Sequence, residues 1–226
     1  MIEQYFRAGI RYLWTKPGDV TGDRDGTIVP SVRDANDLTY DGLDGHQAAV
    51  DPLLLHTNVA NEIGLAMGAN VPHVWLDYAE GQTAWLPIGE SDILTGYMTG
   101  CLIARGTYQG AMNAFHVGTS ISYPAINPIV KGTFAENLPD DATGFDPFGA
   151  WPNDEIIPIM TNLGGAPAAK PHFFALVTTA GAFYSILMFE LAQDGRWTNP
   201  ARYWCVGGKK LVPALDHDQL LAALQA

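Results

Sequence analysis

From Val71 to Val206 the chain is a succession of short apolar runs, each closed by a turn cluster before an amphipathic helix can develop. VPHVWLDY and TAWLPI flank Glu80-Gly81-Gln82. CLIAR and AMNAFHVG flank the segment GTYQG. His172–Thr179, Phe183–Leu191 and Trp197–Val206 are parted at Ala180-Gly181 and at Gln193-Asp194-Gly195. Short runs rich in β-branched and aromatic residues, bounded in this way, read as strands. Connections this short join antiparallel neighbours, because a parallel crossover needs a dozen residues or more.

Helices are expected mainly at the two ends. Ile2 to Trp14 carries Ile2, Phe6, Ile10 and Leu13 on one stripe and stops at Lys16-Pro17-Gly18. At the other end, Asp216 and Gln219 have the spacing of a capping box for a helix over 217–225. Asn58 to Met67 reads as a further short helix ended by Gly68. Residues 19–51 read as an irregular acidic excursion, 135–171 as a long surface connection, and Gly207-Gly208 as a turn. The expected fold is α+β: packed, mostly antiparallel β-sheets with a β-sandwich-like core and flanking helices. Residues 1–226 are expected to form a single catalytic domain.

Charge narrows the partners. Twelve basic residues face 24 acidic ones, a formal net charge of −12. Such a surface repels phosphate backbones and anionic bilayers, so neither nucleic acid nor a membrane is the expected partner. The opening MIEQYFRAGIRYLW lacks the basic, apolar and small-residue zones of a cleavable signal peptide, so a soluble chain without one is expected. No apolar run reaches membrane-spanning length. Two cysteines make no disulfide framework; either both are packed fillers or one is chemical.

Cys205, inside YWCV, reads as packing. Cys101 reads differently. It follows Thr99-Gly100 at the mouth of an apolar strand, where glycine leaves the flank open and permits an unusual backbone angle. His116 lies near the end of the next strand. With the turn centred between Tyr108 and Gln109, the two side chains face each other with Cβ atoms about 4.5–5.5 Å apart. Centring on Tyr108 slips the register by one and sends them to opposite faces. GTYQG is not a recognisable two-residue turn, so the register stays open. Paired, a thiolate–imidazolium couple would attack a carbonyl, and His116 would protonate the leaving amine and then activate water. Main-chain N–H groups around Gly100 and Cys101 are the natural oxyanion donors.

The run LTGYMTGC, Leu94 to Cys101, followed by FHVGT, Phe115 to Thr119, resembles the active-site signature of the Cys-His glutamine deamidase toxins. That family includes the Burkholderia lethal factor and the catalytic domain of the cytotoxic necrotizing factors. Its mark is Ser-Gly-Cys with a histidine on the next strand; Thr99-Gly100-Cys101 stands here, with Thr99 in place of serine. The resemblance spans Trp85 to Thr119. It implies packed sheets with flanking helices and hydrolysis of a glutamine side-chain amide of a target protein, with ammonia released and no cofactor. It implies that a main-chain carbonyl, by position that of Thr95, orients the histidine. It also implies a secreted effector working in a host cytosol, with a host protein as substrate.

Other candidates are bland. Thr21 to Gly26 has the opening of a calcium loop but no closing Glu, and reads as a solvated turn. The histidines show no zinc-ligand spacing, so no metal is expected. The acidic excursion would favour a basic patch on a protein target. The alternatives are another Cys-His hydrolase (a peptidase, an amidase or a transglutaminase-like enzyme) and a non-enzymatic strand-rich binding module.

Overall fold

The computed structural model describes residues 2–9, 11–14, 46–47, 52–61, 64–78, 80–98, 100–162, 170–190 and 202–226. Its strands are β1 (Arg11–Trp14), β2 (His46–Gln47), β3 (Pro52–Asn61), β4 (Gly64–Trp75), β5 (Thr83–Pro87), β6 (Ile93–Met98), β7 (Leu102–Tyr108), β8 (Ala111–Val117), β9 (Thr143–Phe145), β10 (Lys170–Val177), β11 (Phe183–Glu190) and β12 (Arg202–Val212). The helices are α1 (Asn127–Glu136), α2 (Asn153–Asn162) and α3 (His217–Gln225).

Two sheets result. A seven-stranded sheet runs β1-β12-β11-β10-β6-β4-β3, and a five-stranded sheet runs β2-β5-β8-β7-β9. Among the described residues only β4–β6 and β2–β5 are parallel pairs. This is the expected α+β class of packed, mostly antiparallel sheets. Among the described residues no helix is long and apolar enough to cross a membrane.

Strand alternation sorts the apolar residues into layers. On β10, Phe173, Ala175 and Val177 face the five-stranded sheet and join Ile103, Ala114, Leu86 and Cys101 in the inter-sheet core. Phe174 and Leu176 point the other way, into a cluster with Trp75, Leu94, Trp204, Ile2 and Phe6. The outer face of the five-stranded sheet presents Leu102, Ala104, Phe115 and Val117 to Val130 and Phe134 of α1 and Leu220 and Leu224 of α3. Burial on both faces is why β10 and β11 read as nearly unbroken apolar runs. The side chain of Asp216 accepts from the Gln219 N–H, and the Gln219 side chain accepts from the Asp216 N–H, so the capping box forms as expected.

Several local expectations are corrected. The N-terminal segment is a 3-10 turn, Ile2–Tyr5, followed by β1, which pairs with β12. Asn58 to Met67 is not helical: Asn58 pairs with Met67 and Asn61 with Gly64 across the β3–β4 ladder. A partner strand overrides a weak helical pattern there. The Glu80–Gln82 turn does not close a hairpin, because β4 and β5 belong to different sheets. The surface connection over 135–171 contains β9 and α2.

Gly207-Gly208 is not a turn. Strand β12 runs through it, and Leu187 pairs with Gly208 while Met188 pairs with Val206, which leaves Gly207 as a bulge. A Cβ at Gly207 would lie 2.6 Å from Phe189 Cε2, so the bulge is packed too closely for any side chain. Trp85 and Trp151 are core residues. The calcium-like turn over 21–26, most of the acidic excursion and the Gln193-Asp194-Gly195 turn lie outside the described residues.

The edge of β6 is held by Asp92, whose carboxylate oxygens accept from the Ile2 and Thr179 main-chain N–H groups at 2.9 Å each. Its carbonyl accepts from the Val74 N–H. Three segments distant in sequence are thereby fixed beside the strand that carries Thr95.

Candidate active site

Thr95 and His116 meet between the sheets. Thr95 sits on β6 opposite Ala175, with the parity of Ile93, and so faces the inter-sheet core. His116 sits on β8, opposite Ala84 on one side and Ile103 on the other, and faces the same layer from the other sheet. Thr95 Oγ1 lies 2.7 Å from His116 Nδ1. The resemblance implied a main-chain carbonyl at Thr95; the contact here is made by the side-chain hydroxyl.

This contact engages Nδ1, and the tautomer sets which partner donates. Among the described residues His116 Nε2 has no hydrogen-bond partner, and it is buried. If Nε2 is to take a proton, Nδ1 carries the ring hydrogen and donates it to the Thr95 hydroxyl. Complete burial pushes the imidazole pKa down to about 3, so the ring is neutral at neutral pH. A resting thiolate–imidazolium couple does not fit that environment. The pair in this state is thiol and neutral imidazole, and the proton would move only as the sulfur attacks.

The hairpin register differs from both sequence-based alternatives. The turn is Gln109-Gly110, with φ of +52° and +80°, flanked by the pair Tyr108–Ala111. Positive φ at both positions is the type I′ pattern that matches strand twist; glycine tolerates it and glutamine is an unusual occupant. His116 therefore faces Ile103, and Leu102 faces Val117. Cys101, two residues before Ile103, shares its parity and joins the same inter-sheet cluster. Carried back by parity to Cys101, the β7 register puts it on the face of His116, diagonal to it across the hairpin; in a regular ladder such neighbours have Cα atoms roughly 7–8 Å apart.

Cys101 precedes the first residue of β7 and is 2% exposed. Its Sγ lies 3.6 Å from Thr119 Oγ1, within hydrogen-bond range for sulfur. Gly100 is exposed, Thr99 lies outside the described residues. Gly100 does not adopt a left-handed φ, and among the described residues beyond its chain neighbours a Cβ built on it would meet only Thr119 Oγ1, at 3.5 Å. Its contribution is therefore room beside the Thr119 hydroxyl, which in turn lies against the sulfur, and not an unusual backbone angle.

Two residues of the cluster had no assigned role in the sequence. The Tyr78 ring packs on His116 at 5.5 Å between centroids. Its hydroxyl donates to the Thr119 carbonyl at 2.6 Å. Burial first, then the nearby ionisable groups of Cys101 and Glu80, pushes the phenol well above its ordinary range, so it remains a donor. Thr119 was visible as the end of FHVGT. Tyr78 had no signal, because it reaches Thr119 across 41 residues of chain.

Comparison of the chain with protein-family models, with curated proteins and with solved structures found no match. A thiol, a neutral imidazole with one free nitrogen, a hydroxyl fixing the other nitrogen and a second hydroxyl beside the sulfur are the parts of a nucleophile–base–orienter set. Cys205 is buried in the inter-sheet core, with its sulfur 3.9 Å from the Val206 carbonyl.

Proposed function

We propose that this protein is a cysteine-dependent amidohydrolase that deamidates a glutamine side chain of a protein substrate. The observation that carries the reading is the 2.7 Å contact from Thr95 Oγ1 to His116 Nδ1. It leaves Nε2 as the only nitrogen for proton transfer, on the face that Cys101 shares. Energetics support a functional origin. One neutral hydrogen bond contributes about 1 kcal/mol net, while an orphaned buried nitrogen costs about 1–3 kcal/mol. An apolar pair of the same size would hold the sheets together at least as well, so stability does not explain this arrangement.

In the proposed reaction the Cys101 S–H proton passes to His116 Nε2 as sulfur bonds to the amide carbon. The carbonyl π pair moves onto oxygen. Collapse expels ammonia, which takes the proton from His116, and leaves a thioester. Water, deprotonated by His116, then releases glutamate and regenerates the thiol. The glutamine specificity, the host-protein substrate and the secreted-effector setting come from the resemblance of Leu94–Cys101 and Phe115–Thr119 to the deamidase toxins. The net charge of −12 supports a basic face on the target.

Intact mass spectrometry of candidate protein targets is the test. A gain of about one dalton per glutamine, with ammonia released and no chain cleavage or cross-link, is expected, and Cys101→Ser abolishes it. Chain cleavage would instead support a peptidase using the same pair. A second reading, a strand-rich binding module with an inert packed thiol, is favoured by the 2% exposure of Cys101. Iodoacetamide separates the two. A catalytic Cys101 alkylates quickly and slows when His116 is replaced, whereas a packed thiol labels slowly in both proteins.

A further inference from the structure

We infer that the Thr119 hydroxyl is a side-chain donor of the oxyanion hole, held in place by Tyr78. The inference rests on the Cys101–His116 reading and adds to it a role for two residues outside that pair. Among the described residues the only partner of Thr119 Oγ1 is the Cys101 sulfur, at 3.6 Å. An oxyanion donor works at roughly 2.7–3.1 Å from the oxygen, and that oxygen sits one bond from the carbon the sulfur attacks. A hydroxyl beside the sulfur can reach it. Thr119 is half-buried and Gly100 keeps the space next to its hydroxyl open, so a carbonyl can enter there.

The backbone around Thr119 is immobilised on both sides. Gly118 exchanges two hydrogen bonds of 2.8 Å with the Gly81-Gln82 turn. The Thr119 carbonyl accepts from Tyr78 at 2.6 Å. Ser120 donates its hydroxyl to Glu80, and its main chain exchanges bonds with the Asn127 side chain at 2.7 and 3.0 Å. A donor fixed before the charge develops needs no reorganisation when it does, which is the condition for strong oxyanion stabilisation. Thr119 is then a catalytic residue, because it touches the reacting sulfur. Tyr78 is a positioning residue acting through the Thr119 main chain.

The experiment compares two reactions of the same thiol, read residue by residue by mass spectrometry. Acylation by p-nitrophenyl acetate passes through a tetrahedral oxyanion, while alkylation by iodoacetamide does not. Thr119→Val and Thr119→Ala are expected to slow Cys101 acylation by about 100-fold while leaving alkylation unchanged. Thr119→Ser restores acylation, and Tyr78→Phe gives a smaller loss confined to acylation. Equal acylation in wild type and both hydroxyl-free variants overturns the inference. A parallel fall in both reactions does so too, since the hydroxyl would then act on the thiol or the fold. A wild-type Cys101 inert to both reagents, with His116→Ala no different, would instead remove the Cys–His reading and this assignment with it.

Discussion

Thr95 Oγ1 and His116 Nδ1 come together from different sheets at 2.7 Å, so the imidazole is oriented by the packing of the sandwich itself. The first expectation concerns that contact. Thr95→Val leaves the ring nitrogen unpaired in the core and should cost about 1–3 kcal/mol. Ammonia release should fall by about 100-fold, within the range of a misplaced general base. Thr95→Ser should retain both. The double variant Thr95→Val/His116→Phe removes both polar partners and should recover wild-type stability with no activity. Urea midpoints and ammonia assays on these four proteins decide the matter; a double variant less stable than Thr95→Val would contradict it.

Acid should loosen the fold through His116. Its pKa is about 3 when buried and 6.5 when exposed. Between those values the unfolded chain binds the proton and the folded one does not, so stability rises with pH across the window. The penalty is absent above pH 6.5 and grows by about 1.4 kcal/mol for each unit below it, until the folded ring protonates. The difference in urea midpoint between wild type and Thr95→Val/His116→Phe, followed from pH 7 to pH 4, should shift steadily in favour of the variant. A constant difference would show that burial leaves the ring's pKa where it stands in the unfolded chain.

Gly100→Ala should separate reactivity from folding. The added Cβ meets nothing closer than Thr119 Oγ1 at 3.5 Å, and the backbone there is not left-handed. Stability should stay within about 0.5 kcal/mol of wild type. The methyl fills the space beside the sulfur, so acylation of Cys101 by p-nitrophenyl acetate should slow. Unchanged acylation would place the approach route elsewhere.

Gly96→Ala, next to Thr95, should do the opposite. Its Cβ would lie 2.6 Å from the ring of Phe174, the cross-strand partner, which is fully buried. Overpacking of this kind costs about 1–3 kcal/mol. Thermal or urea unfolding should show that loss, and adding Phe174→Leu should relieve part of it. A neutral Gly96→Ala would mean the ring has room to move.

Short-range chemistry settled much of this protein in its sequence. Apolar runs and turn clusters are local, and they specify strands, hairpins and the capping box at Asp216 and Gln219 without reference to the rest of the chain. Cys101 and His116 could be named for the same reason, since one hairpin separates them. The errors fall where a distant partner decides. Asn58 to Met67 has a helical pattern that the β3–β4 ladder overrides. Gly207-Gly208 looks like a turn until β11 pairs across it as a bulge. The Gln109-Gly110 turn was missed because glutamine is a poor signal for a positive φ, and the register moved with it. Only the stacking of two sheets could bring the Thr95 hydroxyl to His116 and Tyr78 to Thr119. A strand's side-chain period states which residues share a face; what that face meets is decided by the sheet packed against it.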